Sequence, residues 1–356
     1  MKKNILVVVI LIVIAIVSVA AYLLSTPRPT QIPTPTPSPA ASKLKIAVIY
    51  VSPLEGETWN LALHNALTKV IQKYGLEPYK YTESVAPPDA ERIARAYIDQ
   101  GFKLIFFHSW FPDAIKMIGK EHPDVVALGA GGGVELNVLY PPPTLVPPNI
   151  GHYDTYMHES GYLAGALAGK MTKTNKIGIV GGFPVANSNR YFNGFIEGIK
   201  SVNENAQIKI TWIYSWSDPP KAKEAAKALI EWGADFIGSD RLPGPEAATE
   251  ETRNAYIIHF NGNLPTLAPN TMIAGVPWIL DSTVDEIVSS VMQGKFVSKE
   301  YVYGLAAGGT DFIINLPDKI PSDIRSYIQS LKERIMEGKL VILPNNNPPE
   351  NVWGLT

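Results

Sequence analysis

From Leu44 onward, short apolar runs alternate with amphipathic stretches, and this alternation constrains the fold more than any other feature of the chain. Strand segments read from it are 45–51, 78–81, 103–108, 125–129, 176–181, 209–214, 234–238 and 256–260. Between them lie helices such as 59–74, 90–100, 157–171, 189–202 and 221–232. Strands that alternate with helices build parallel sheets covered on both faces, a doubly wound α/β architecture. The body that follows the first 42 of the 356 residues, about 314 residues, exceeds what one core comfortably fills, so two lobes are expected. The proline-rich stretch LYPPPTLVPPN, residues 139–149, marks the expected break. A further apparent strand, 271–276, a helix at 281–293 and a terminal helix at 322–337 fall out of series. The segments divide as 44–151 plus 274–304 for lobe 1, and 152–273 plus 305–356 for lobe 2.

Ahead of this body, residues 5–24 are apolar except for Ser18 and the interfacial Tyr22. At 1.5 Å per helical residue the run spans about 30 Å of hydrocarbon. Lys2 and Lys3 precede it, which places the N-terminus inside and the body outside the cell. Residues 1–25 read as an N-terminal transmembrane helix, with a cleaved signal peptide as the alternative. Residues 26–43, Pro/Thr-rich, read as an extended stalk. The expected location is the cell membrane, with an extracytoplasmic domain.

The formal charge is −2, and the first 42 residues carry three bases and no acid, so the body is more acidic still. Such a body lacks the basic stripe that nucleic acid requires. With no cysteine in the chain, disulfides, thiolate nucleophiles, zinc–thiolate sites and lipidated-cysteine anchors are excluded. The glycine run 129–133 follows a strand but opens no helix that could hold a pyrophosphate. His158-Glu159 lacks a second histidine one turn on, and no P-loop or GxSxG motif occurs. No metal, cofactor or catalytic group is therefore expected.

Ligands of open α/β sheets bind beyond the carboxyl ends of the strands. Trp59, Trp110, Trp216 and Trp278 all fall there, with Asn60, His108, Ser109, Phe183, Asn187, Asp218, Asp240 and Asn261 among them. Aromatic faces beside amide and carboxylate acceptors suit a flat, hydroxylated, largely uncharged molecule. Each residue has a plainer alternative: any one tryptophan could pack a loop, His108 could be a packed strand-end histidine, and Asp218 could cap the helix that Pro219 and Pro220 begin. An Asp218/Asp240 acid–base pair, and with it hydrolysis, stays open as a minor alternative.

The run GYLAGALAGKMTKTNKIGIVGGFPVANSNRYFNGFIEGIKSVN, followed by ITWIYSWSDPPKAKEAAKALIEWGAD, resembles the basic membrane protein family of ABC transporter substrate-binding proteins, which includes purine nucleoside receptors. IAVIYVSP with Trp59-Asn60, and HPDVVALGAG, are similar to that family's first and fourth strands. The resemblance covers residues 44–310 and implies a type I periplasmic-binding-protein fold, two lobes joined by a multi-strand hinge that close on ligand. By the same resemblance Trp59 and Asn60 match the family's base-stacking aromatic and its asparagine, Trp216 and Asp218 match its Ser-aromatic-x-Asp segment, and Asp240 is the counterpart of the aspartate after GAD. Asn261 and Asn263 stand where the family carries acids, and Asn187 replaces a glutamate; fewer carboxylates fit a less hydroxylated ligand, such as a free base. The expected protein is a monomeric receptor that binds a nucleoside, nucleobase or similar polar ring and delivers it to an ABC permease. Alternatives are a sugar-binding or sensory solute receptor and a nucleoside-cleaving hydrolase.

Overall fold

The computed structural model describes residues 44–352. The expected anchor and stalk, 1–43, lie outside the described residues, among which no helix is long and apolar enough to cross a membrane. In chain order the elements are β1 (Ile46–Tyr50), α1 (Thr58–Tyr74), β2 (Lys80–Thr82), α2 (Ala90–Asp99), β3 (Leu104–His108), α3 (Pro112–Glu121), β4 (Val126–Ala130), the short α4 (Leu136–Leu139) and β5 (Ile150–Thr155). They continue with α5 (Met157–Met171), β6 (Lys176–Gly181), α6 (Ala186–Val202), β7 (Gln207–Trp212), α7 (Pro219–Glu231), β8 (Phe236–Ser239), α8 (Gly244–Thr252) and β9 (Tyr256–Phe260). Last come β10 (Met272–Val276), α9 (Asp281–Met292), β11 (Glu300–Tyr303), β12 (Ile313–Ile314) and α10 (Ser322–Met336).

Two six-stranded sheets result, ordered β11-β5-β4-β3-β1-β2 and β12-β10-β9-β8-β6-β7. All pairings are parallel except β10 with β12. Strands buried on both faces explain the continuous apolar runs: β1 and β3 are buried at every position. In α1 the buried Leu63, Ala66, Leu67 and Val70 recur at helical spacing, and Gly75, with φ +63°, ends the helix in a left-handed cap.

The chain crosses between sheets after β5, after β10 and after β11. The crossing strands touch: Tyr156 N–H donates to Tyr303 O (2.9 Å) and Ile279 N–H to Gly309 O (3.0 Å). The expected break at 139–149 is not one. Its prolines form a loop with a 3-10 turn, after which β5 returns to pair with β4 in the same sheet. The expected boundaries 151/152 and 273/274 fall inside β5 and β10, because each strand runs to its end before the chain leaves its sheet. β5 escapes the apolar pattern because it buries His152 and Asp154, which pair with Glu300 of β11 and Arg190 of α6. Helix α9 packs on α1, reinforced by Lys73–Asp285 at 2.8 Å, and α10 packs on α5.

Helices α5 and α6 cross at close range because glycines face backbone. A Cβ on Gly165 would lie 2.0 Å from Phe195 O, and one on Gly198 2.0 Å from Tyr162 O. Gly165→Ala is expected to force the pair apart and cost about 1–3 kcal/mol, read as a lower melting temperature with unchanged helical content. A wild-type melt would show that the helices separate freely.

Candidate functional site

The carboxyl ends of both sheets border one cleft of about 650 Å³, within the range of small-molecule sites. Lobe 1 contributes Glu57 and Trp59 at the start of α1, Ser109 and Trp110 after β3, and the glycine run after β4. Lobe 2 contributes Phe183 after β6, Asn187 and Ser188 on α6, Trp216 after β7, Arg241 after β8 and Asn261 after β9. Aromatic rings therefore enter from both halves. Trp59 and Trp110 stand on one side, and on the other Phe183 packs on Trp216 at 4.9 Å between ring centroids. Trp110 is 53% exposed, so its ring has free surface to give a ligand.

Of the residues the sequence pointed to, Trp59, Ser109, Trp110, Phe183, Asn187, Trp216 and Asn261 line this cleft. The other five do not, and each has a structural occupation. Asn60 is fully buried, its Nδ2 donating to Ser52 Oγ (3.0 Å) and Pro53 O (2.7 Å), which ties the loop between β1 and α1. His108 is buried at the end of β3, bonded to Tyr153 Oη (2.7 Å) and Trp59 O (2.9 Å); burial pushes its pKa down to about 3. Asp218 caps α7, its Oδ1 accepting from Lys221 N–H at 3.0 Å. Trp278 is 3% exposed and stacks against Trp59 from behind, centroids 3.6 Å apart and planes 9° from parallel.

Asp240 lies beneath the cleft floor as an acceptor hub. It receives Gly182 N–H (3.0 Å), Tyr191 O–H, Ser188 O–H (3.3 Å) and Arg241 Nε–H (3.0 Å). Asp240 is 1% exposed and, like the capping Asp218, does not line the cleft. Arg241 is the residue Asp240 presents. Its Nη1 donates to Trp216 O, and its guanidinium lies over the Trp216 ring at 4.9 Å.

Glu57, Arg241 and the glycine run were not singled out as ligand contacts. Arg241 stands one place beyond Asp240 at a strand end, so the strand-end rule that gathered the others also reaches it. The glycine run fails as a pyrophosphate loop yet lines the cleft for another reason: a Cβ on Gly132 would lie 2.9 Å from Ala186 N, and one on Gly133 2.8 Å from Trp110 Cδ1. Side chains there would push lobe 1 off α6 and displace the Trp110 ring.

Two parallel-sheet lobes, three chain crossings and an aromatic-walled cleft between them define a solute-binding protein of the periplasmic-binding type. Residues 43–346 match the Bmp family, described as ABC transporter substrate-binding protein PnrA-like, and the chain belongs to it. A purine-binding protein of Brucella abortus is 28% identical over 84% of this chain and 82% of its own. A putative ABC transporter glucose-binding protein of Haloferax volcanii is 25% identical over 83% of this chain and 72% of its own. Among solved structures, an ABC transporter solute-binding protein from Conexibacter woesei superposes with a TM-score of 0.68 at 23% identity, covering 85% of this chain and 99% of its own. The family is one of binding proteins, not enzymes.

Proposed function

We propose that the protein captures a nucleoside, nucleobase or similar flat polar ring outside the cell, closes its lobes around it, and presents the closed form to an ABC permease. The observation that carries this reading is the pair of aromatic walls, Trp59 and Trp110 facing Phe183 and Trp216 from separate lobes across one cleft. A flat ring that stacks on both walls binds the closed arrangement better than the open one, and that difference drives closure. The purine-binding relative supports the same class. The apolar run 5–24 behind Lys2 and Lys3 supports a membrane anchor, with residues 26–43 as its stalk.

A second reading, a sugar receptor, is favoured by the glucose-binding relative, since tryptophan faces also hold pyranose rings. A thermal-shift panel separates the two. A ligand at 100 times its dissociation constant adds about 2.7 kcal/mol, so bases or nucleosides should raise the melting temperature by several degrees and glucose should not. The reverse outcome would install the sugar reading. Trp59→Ala should weaken binding of the active ring compound by about 1–3 kcal/mol, measured calorimetrically below the melt. Unchanged affinity would mean that Trp59 serves Trp278 rather than the ligand.

A further inference from the structure

One residue lining the cleft, Asn346, follows no strand. After α10 the chain runs back along lobe 2 as an irregular strap, residues 339–352, in which Pro344, Pro348 and Pro349 flank the asparagines 345–347 and keep them out of a helix. Ile342 O accepts from the buried His158 Nε2 at 3.0 Å. Farther on, Asn351 Oδ1 accepts from Ile210 N–H (2.8 Å) and Val352 N–H donates to Ile208 O (3.0 Å), which covers the outer edge of β7. Between these anchors Asn189 and Asn193, one turn apart on α6, aim their amides at the strap. Asn193 Nδ2 donates to Asn345 O and Asn347 O, both at 2.9 Å, and Asn189 Nδ2 to Asn346 O (2.9 Å) and to Pro184 O (3.1 Å) in the loop after β6. Asn346 is thereby pinned beside the Phe183 loop, an exposed residue on the wall of the cleft.

We propose that Asn346 is a ligand-contacting residue carried to the cleft by this strap, and that its amide nitrogen donates to an oxygen acceptor on the bound molecule, a ring carbonyl or a ribose hydroxyl. This rests on the reading that the cleft takes a nucleoside or nucleobase. A guanidinium can only donate, so the Asn346 amide oxygen is the atom turned to Arg190 Nη1, 3.5 Å away. Arg190 is itself buried and paired with Asp154, which holds it in place. That orientation leaves the two N–H groups of Asn346 Nδ2 with no partner among the described residues, and a ligand meets the amide as a donor. A ligand oxygen that loses water on entering the cleft needs such a donor to avoid being left unmatched.

Calorimetric titration of the purified full chain and two variants with inosine, adenosine, hypoxanthine and adenine tests this. Asn346→Asp still accepts from Arg190 but turns a lone pair, in place of the N–H, toward the ligand oxygen, whereas Asn346→Ala leaves room for a water. Asn346→Asp should weaken inosine about tenfold and Asn346→Ala about threefold, with the melting temperature of each ligand-free variant within about one degree of wild type. A loss shared by hypoxanthine assigns the contact to the base carbonyl, and a loss confined to the two nucleosides assigns it to ribose; either supports the proposal. Adenine carries no oxygen, and its affinity should not move. An asparagine that serves only to hold Arg190 gives the opposite order, because the aspartate keeps that contact and the alanine loses it. Inosine affinity intact in Asn346→Asp, or an equal loss with adenine, would overturn the proposal while leaving the heterocycle reading intact. If the wild type binds none of the four, the purine form of that reading falls, and this proposal with it.

Discussion

Asp240→Ala should unfold well below the wild-type melting temperature, by an expected margin of about 10 °C, before any effect on ligand is considered. The side chain is 1% exposed and accepts four hydrogen bonds, one of them from the buried guanidinium of Arg241. Removing one partner of a buried ion pair leaves the other charge uncompensated, at a cost of about 3–5 kcal/mol. Gly182 N–H and Tyr191 O–H lose their acceptor as well. Asp240→Asn keeps an acceptor oxygen and the shape while losing the charge, so its loss should be intermediate. Denaturant unfolding of the three proteins ranks them. An aspartate that contacted ligand in the cleft would behave differently, with affinity falling while stability stayed put; equal melts for wild type and Asp240→Ala would restore that role.

The contrast between Asp240 and Arg241 shows how far a sequence can be read. The strand-end rule located the cleft because topology alone places those residues there, and Trp59, Trp110, Phe183, Asn187, Trp216 and Asn261 follow from it. Residue type could not say which neighbour faces the cavity. In Asp240-Arg241 the carboxylate turns down to Tyr191 and the guanidinium lies along the floor, a choice made by α6, more than forty residues earlier in the chain. Asn60 and Asp218 were drawn from local patterns that serve equally well for a loop tie and a helix cap, and backbone geometry decided for those roles. The fold was legible wherever strands are apolar throughout. It was not at β5, where His152 and Asp154 are buried through partners supplied by distant segments, nor at the 139–149 prolines, which end a helix without ending a lobe.

Mild acid should destabilise the protein through His108, with a consequence for the site. Trp59 O can only accept, so His108 Nε2 carries the hydrogen and Nδ1 accepts from Tyr153 O–H; the ring is neutral in the native state. The rings packed on it are Tyr50, Trp59, Tyr153 and Trp278, none of them charged. Burial holds its pKa at about 3, against about 6.5 in an unfolded chain. Above pH 6.5 both states are neutral and the term vanishes. Below it the unfolded chain takes up a proton the native protein refuses, and stability falls by about 1.4 kcal/mol per pH unit, reaching about 3 kcal/mol near pH 4.5. His158, lowered by burial to about 4, adds to the slope, whereas Glu57 and Glu159, both raised by burial, oppose it. Subtraction of a His108→Gln series isolates the one residue. The variant should be the less stable protein at pH 7.5, having lost a fitted donor and acceptor, and the gap should close steadily from pH 6.5 to 4.5. A gap constant with pH would mean that His108 is protonated in the fold. Because the native ring stays neutral over that interval, its Nε2–H keeps hold of the Trp59 carbonyl at the first turn of α1, and the ring affinity of the folded protein should hold steady while stability falls.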